Sequence, residues 1–224
     1  MIKRLILSTM AVLLFACSNR NEQVPAADFV RIEGPYLFWQ GERFFIKGTN
    51  LGNWLNPEGY MFGFRKTNSA GWIDRMFREL AGPDFTAEFW KTFKDRYITQ
   101  ADIAFIASTG ANTIRLPFHY KLFTDEDYMG LTAAQDGFDR IDSVVAWCRR
   151  EGLHVILDMH DAPGGQTGDN IDDSHGYPWL FESETSQQLF CDIWVKIADR
   201  YKNEPVILGY DLLNEPRTST TRIP

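Results

Sequence analysis

The spacing of apolar residues changes character along the chain. From about residue 34, short apolar runs alternate with longer stretches whose apolar positions recur at helical spacing. Residues 36–45 carry bulky apolar side chains on either side of Gln40-Gly41, which predicts a small hairpin placed to close the bottom of a barrel. Residues 45–50 predict a first strand. A long loop follows, bearing Trp54, Glu58, Tyr60 and Trp72. Residues 86–97 and 99–109 predict two helices, with Thr99 and Asp102 as an N-cap pair and Gly110 as the stop. Residues 112–117 predict a strand. Residues 138–151 predict an amphipathic helix with Phe138, Ile141, Val144, Val145 and Cys148 on its apolar face, stopped by Gly152. A buried strand over 154–160, a Gly/Asp-rich loop, a helix over 185–202 and a strand over 206–213 complete the pattern.

Short apolar strands separated by helices imply a parallel sheet with helices packed on it. Four β/α units begin and the fourth lacks its helix, whereas an eight-stranded barrel typically takes about 250 residues. The predicted fold class is therefore α/β: a (β/α)8 TIM barrel truncated after about the fourth strand. It occupies residues 34–224.

The first residues have a different pattern. Lys3 and Arg4 precede an apolar run over 5–15 that is too short for a stable membrane span. The run ends in Leu14-Phe15-Ala16-Cys17, which resembles the lipobox of bacterial lipoproteins. Residues 1–16 are expected to be a lipoprotein signal peptide, Cys17 the lipidation site and the polar residues 17–33 a flexible tether. The chain is then exported and membrane-anchored through its N-terminal lipid, in the periplasm or at the cell surface. The net charge of −7 disfavours nucleic acid as a partner. Cys148 and Cys191 are expected to be buried free thiols.

In barrels of this kind, chemistry sits at the C-terminal ends of the strands. Those ends carry Asn50 and Glu58, Arg115 and His119, Asp158 and His160, and Asn214 and Glu215. So many polar groups are costly as core filling and suit a catalytic mouth. Glu215, at the end of a buried strand, is expected to be partly desolvated, which favours a protonated carboxyl able to donate to a leaving-group oxygen. Arg115 can hold a carboxylate and keep it ionised. Trp54, Trp179 and Phe181 are candidate sugar-stacking faces. His119, Asp158, His160, Asp161 and His175 invite a metal reading, but no two histidines are separated by one residue on a strand. Neither a metal nor a cofactor is expected.

From about residue 34 to 216 the chain resembles glycoside hydrolase family 5. Arg115 in Asn-Thr-Ile-Arg-Leu-Pro matches that family's strand-two arginine, His160 its strand-three histidine, and Asn214-Glu215 its Asn-Glu pair. The segment 50–58 and the loop 158–168 are similar to those of exo-β-1,3-glucanase-type members, with departures at Asn53, Asn56 and Asp161. The resemblance implies a retaining hydrolase of β-glucan or a related polysaccharide. It gives Glu215 as general acid/base and Glu58, Arg115, His119, His160, Asn214, Trp54 and Trp179 as substrate-binding residues. It also implies a second glutamate, the nucleophile, on a seventh strand. That residue is absent from this chain, so the chain alone is expected to be inactive. The alternative is a surface lipoprotein that binds glycan without cleaving it.

Overall fold

A computed structural model describes residues 28–131 and 133–217. The signal peptide, Cys17 and the first part of the tether lie outside the described residues. The end of the tether does not stay free of the domain. Arg31–Glu33 forms β1, which pairs antiparallel with β2 (Tyr36–Trp39), and β2 pairs with β3 (Glu42–Phe44). The expected hairpin is thus part of a three-stranded sheet. Its turn places Gln40 and Gly41 at φ 52° and 86°, the left-handed pair that matches the twist of hairpin strands. Trp39 and Phe44 set their ring edges against His154, with centroids 4.9 and 5.1 Å away. The small sheet therefore covers the end of the main sheet where its strands begin.

The main sheet is parallel, in the order β4 (Gly48–Asn50), β5 (Thr113–His119), β6 (His154–Asp161) and β7 (Ile207–Asp211). Strand order follows chain order, the pattern of a sheet wound one β/α unit at a time. Ile114, Leu116 and Phe118 of β5 and Val155, Leu157 and Met159 of β6 are fully buried. They pack with α4 (Ala134–Glu151), whose Ile141, Val144, Val145 and Cys148 face inward as the spacing predicts. Gly152 ends α4 at φ 71°. After β6 comes α5 (Glu184–Tyr201), which buries Ile193, Trp194, Ile197 and Tyr201.

Between β4 and β5 lie three α-helices rather than two. α2 (Pro83–Arg96) and α3 (Gln100–Ser108) fall where expected, and Thr99 and Asp102 form a capping box. The addition is α1 (Ala70–Ala81), in sequence expected to be loop. Ser69 caps it, accepting from the Trp72 amide, and Ala70, Ile73 and Phe77 recur at helical spacing on its inner face. Phe77 stacks on Trp90 of α2 at 5.4 Å, within a cluster that includes Phe62, Phe89 and Phe93. Cys148 is buried as expected, and burial pushes its thiol up to about 12. Cys191 is exposed, contrary to expectation, because it sits on the outer face of α5.

α2 also buries Lys94 completely. Its Nζ donates to the Met129 carbonyl at 2.8 Å and lies 5.3 Å from the ring centroids of Trp90 and Tyr128. Burial, with Arg140 adding to it, pushes the ammonium down to about 7. A base whose folded pKa lies below its unfolded value destabilises the fold in its charged form. That penalty is fully present below about pH 7 and disappears as pH rises toward the unfolded value of about 10.4. The stability of Lys94→Met relative to the parent is therefore expected to be more favourable at pH 6 than at pH 9. Urea melts of both proteins at the two pH values test this. An equal effect at both would mean that the side chain's charge is not what matters.

Candidate active site

The C-terminal ends of the four parallel strands surround a cavity of about 350 Å3. Asn50 follows from β4, Arg115 and Pro117 from β5, His160 and Asp161 from β6, and Asn214 and Glu215 from the turn after β7. Glu58, Tyr60 and Arg217 complete the rim.

Arg115 is the centre of a polar network. Its guanidinium donates twice to Asp211 Oδ2, at 3.0 and 2.7 Å, and to Asn214 Oδ1 at 2.9 Å. The same Nη2 lies 3.0 Å from Asp158 Oδ2. Asp158 is fully buried; burial raises its carboxyl pKa, and His160 and Arg115 counter part of that rise. His160 Nδ1 is 2.7 Å from Asp158 Oδ2, and its Nε2 is 3.3 Å from Asn214 Nδ2. A neutral ring with the proton on Nδ1 satisfies both contacts, donating to Asp158 and accepting from Asn214. Asn214 is then fixed by its oxygen to Arg115 and by its nitrogen to His160, so neither its orientation nor its reach is free.

Glu58 sits 3.7 Å from His160 Nε2. Burial raises its carboxyl, and the neighbouring Glu215 and Asp158 raise it further, against His160. Its backbone amide donates to Asn53 Oδ1 at 2.9 Å, and Asn53 has φ 60°. Asn tolerates the left-handed region better than most residues, which accounts for its place in this turn.

Glu215 also lies in the left-handed region, at φ 42°. A non-glycine residue there costs on the order of 1–3 kcal/mol, and such strain clusters at functional sites. The turn is held by its neighbours: the Asn214 amide donates to Met159 O, and the Arg217 amide to Gln166 O. The side chain of Glu215 is 62% exposed, with Arg217 Nη2 at 3.4 Å. The desolvation expected from its place at a strand end is not supplied by the described residues.

Gln166, which the sequence reading passed over, ties this corner together. Its Nε2 donates to His160 O at 2.6 Å and to Asn214 O at 3.1 Å, and its Oε1 accepts from the Ala162 amide. Asp172 accepts from the Gln166 and Thr167 amides, both at 2.8 Å. Asp211, bound to Arg115, was also missed. A glutamine and two aspartates in loop and strand-end positions carry no signal in composition or spacing; only the fold brings them in.

Three expected binding residues stand elsewhere. Trp54 is 1% exposed and donates its indole N–H to Lys94 O at 2.8 Å, so it is a core residue and not a sugar platform. His119 is fully buried, off the cavity, with Nε2 2.9 Å from Asp173 Oδ2 and 3.5 Å from Asp161 Oδ2. Where His119 pairs with Asp161 the β5–β6 register skips His160, so the irregularity lies in β6 and not in the strand that carries His119. Trp179 is half-exposed but lines a separate cleft, described below.

His119, Asp161 and Asp173 bring one ligand atom each to within 4.8 Å of one another. Their chemistry does not suit a metal. His119 Nδ1 accepts the Lys121 amide at 3.1 Å, so the neutral ring carries its proton on Nε2 and presents N–H, not a lone pair, to the two carboxylates. Burial, with Asp173 and Asp172 adding to it, raises Asp161 well above the usual carboxylate range. Burial also opposes ionisation of Asp173, but bonds from His119, the Gly71 amide and Ser69 outweigh it and hold that carboxyl well below the ordinary range.

The family model for cellulase, glycosyl hydrolase family 5, matches residues 73–223. A β-xylosidase of Phanerodontia chrysosporium is 33% identical over 177 residues, covering 79% of this chain and 37% of that protein. A probable glucan 1,3-β-glucosidase A of Aspergillus fumigatus is 29% identical over 217 residues, covering 92% of this chain and 49% of that protein. The chain thus spans at most about half the length of these relatives. Its fold matches about half of the rutinosidase from Aspergillus niger, with a TM-score of 0.63 at 23% identity over 80% of this chain and 51% of that one. The chain belongs to glycosyl hydrolase family 5.

Proposed function

We propose that this chain supplies the acid/base side of a retaining glycoside hydrolase that cleaves O-glycosidic bonds of β-glucan or a related polysaccharide. The observation that carries this reading is the convergence of Arg115, His160, Asn214 and Glu215 on one cavity at the C-terminal ends of four parallel strands. In the first step Glu215, as a carboxylic acid, gives its proton to the glycosidic oxygen while a carboxylate nucleophile takes the anomeric carbon. In the second step Glu215, now ionised, takes a proton from water as that water displaces the enzyme carboxylate. Asn214, with Oδ1 held by Arg115, leaves its amide to face a sugar hydroxyl once His160 yields it. Glu58 and Tyr60 line the same cavity, where a sugar of the chain would rest.

The nucleophile belongs outside residues 28–217, about 5–5.5 Å from Glu215 in a retaining geometry. Hydrolysis of β-1,3-, β-1,4- and β-1,6-glucans and of an aryl β-glucoside tests the proposal. A full-length parent protein should turn over at least one of them, and the 224-residue chain alone none above background. Turnover by the chain alone that Glu215→Gln abolishes would place a second carboxylate within it and overturn the assignment. A full-length protein inert on all four would favour a glycan-binding role without cleavage.

A further inference from the structure

We infer that the molecule has a second carbohydrate-binding cleft, distinct from the catalytic cavity, in which Trp72 and Trp179 hold a neutral sugar residue of the polymer. The cleft has a volume of about 370 Å3 and lies between the N-terminus of α1, the start of the segment after β5 and the loop after β6. Its size is within the range of about 300–1,000 Å3 typical of small-molecule sites. It shares none of its lining residues with the catalytic cavity.

Two large indoles are exposed there, Trp72 at 47% and Trp179 at 49%. Both are held by the backbone around them. Trp179 donates its amide to Gly164 O and Tyr177 O, and the Tyr177 ring lies against its indole at 4.8 Å. Trp72 is in the first turn of α1, and that turn is pinned to the loop after β6 by the Gly71 amide donating to Asp173 Oδ1 at 2.8 Å. Asp173 is itself bound to His119 from below. The buried His119 network thus has a purpose in the fold: it fixes the two walls of the cleft relative to each other. The Arg75 guanidinium lies 5.1 Å from the centroid of the Trp72 ring and covers one face of it, so Trp72 offers its remaining face, and Trp179 its exposed surface, to the C–H faces of a sugar ring.

The rim decides what kind of ligand fits. It offers donors in Arg75 and Lys121 and an acceptor in Asp173, while the phenol of Tyr120 can do either. A neutral polyhydroxylated ring both donates and accepts, so it can satisfy all of them. An acidic sugar would face the Asp173 carboxylate, and the two cations are already partly engaged, Arg75 by Glu79 and Lys121 by Glu126. An apolar peptide would strip water from charged groups without replacing their partners.

The inference rests on the glycosidase reading only for the choice of polymer. Affinity electrophoresis of the chain through gels containing laminarin, barley β-glucan or polygalacturonate tests it. Retardation by at least one neutral glucan is expected, with less by polygalacturonate. Trp72→Ala/Trp179→Ala should weaken binding roughly tenfold, about 1.4 kcal/mol, and Trp179→Phe should keep most of it because the aromatic face remains. Thermal midpoints of the variants confirm that they are folded. The inference is overturned if the folded double variant is retarded like the parent, if no neutral glucan retards the parent, or if polygalacturonate is preferred. Because the readout is binding and not turnover, a full-length parent protein that binds through this cleft but hydrolyses none of the glucans would refute the glycosidase reading and leave this one standing.

Discussion

In a full-length parent protein, Glu215→Ala is expected to lower kcat on a β-glucan by about 10²–10⁴-fold, the usual contribution of a positioned general acid/base. The loss should be much smaller in the first step for an aryl β-glucoside with a good leaving group, since such a leaving group departs with little protonation. The structure gives a specific reason to place the role on this residue. Glu215 stands in a left-handed backbone conformation at the mouth of the cavity, beside an asparagine locked by Arg115 and His160. Bonds from Asn214 to Met159 and from Arg217 to Gln166 hold Glu215 in this strained conformation and so position its side chain. Parallel kcat/KM measurements on both substrates check the prediction. An equal loss on polymer and activated glycoside would assign Glu215 a structural part only.

The second large effect is on stability. Arg115 is the cation nearest the fully buried Asp158. Arg115→Met leaves that carboxyl, Asp211 and the Asn214 oxygen without their shared donor. Breaking a buried ion pair from one side costs about 3–5 kcal/mol. Asp158 has a way to limit the damage, since burial already raises its pKa and loss of the arginine raises it further. A carboxyl whose folded pKa exceeds its unfolded value is stabilising in its protonated form, and that stability is lost as pH rises above about 4. The destabilisation by Arg115→Met should therefore be smaller at pH 4 than at pH 7 in urea melts. Adding Asp158→Asn should recover part of the loss at pH 7. Equal losses at both pH values, with no recovery in the double variant, would show that the buried charge is not the source of the cost.

Much of this fold is written in local patterns. The four parallel strands, α4 and α5 were legible because of their apolar runs and periodicities, with Gly152 marking the end of α4. The hairpin turn was legible because Gln40-Gly41 suits left-handed backbone. α1 was not read, although Ser69 and the spacing of Ala70, Ile73 and Phe77 carry the signal, because Gly71 and the preceding loop obscured its start. In the site, Arg115, His160, Asn214, Glu58 and Glu215 were legible as polar groups at strand ends, and the structure brings them to one cavity. Trp54 and His119 were not, because residue type does not reveal which way a side chain turns. Trp54 turns to the core, where its indole donates to Lys94 O, and His119 turns to Asp173. Gln166, Asp172 and Asp211 work through hydrogen bonds that exist only after distant segments meet.

Azide rescue of Glu215→Ala in the full-length parent protein tests the central claim most directly. Without its acid/base the enzyme should still form the glycosyl intermediate from an activated aryl β-glycoside but should hydrolyse it slowly, since no base activates water. Azide needs no base, so it should restore turnover and release a β-glycosyl azide, the configuration of the substrate retained by two displacements. An α-glycosyl azide, or a variant that azide leaves slow while the unmodified protein is active, would contradict Glu215 as the acid/base of a retaining family 5 hydrolase.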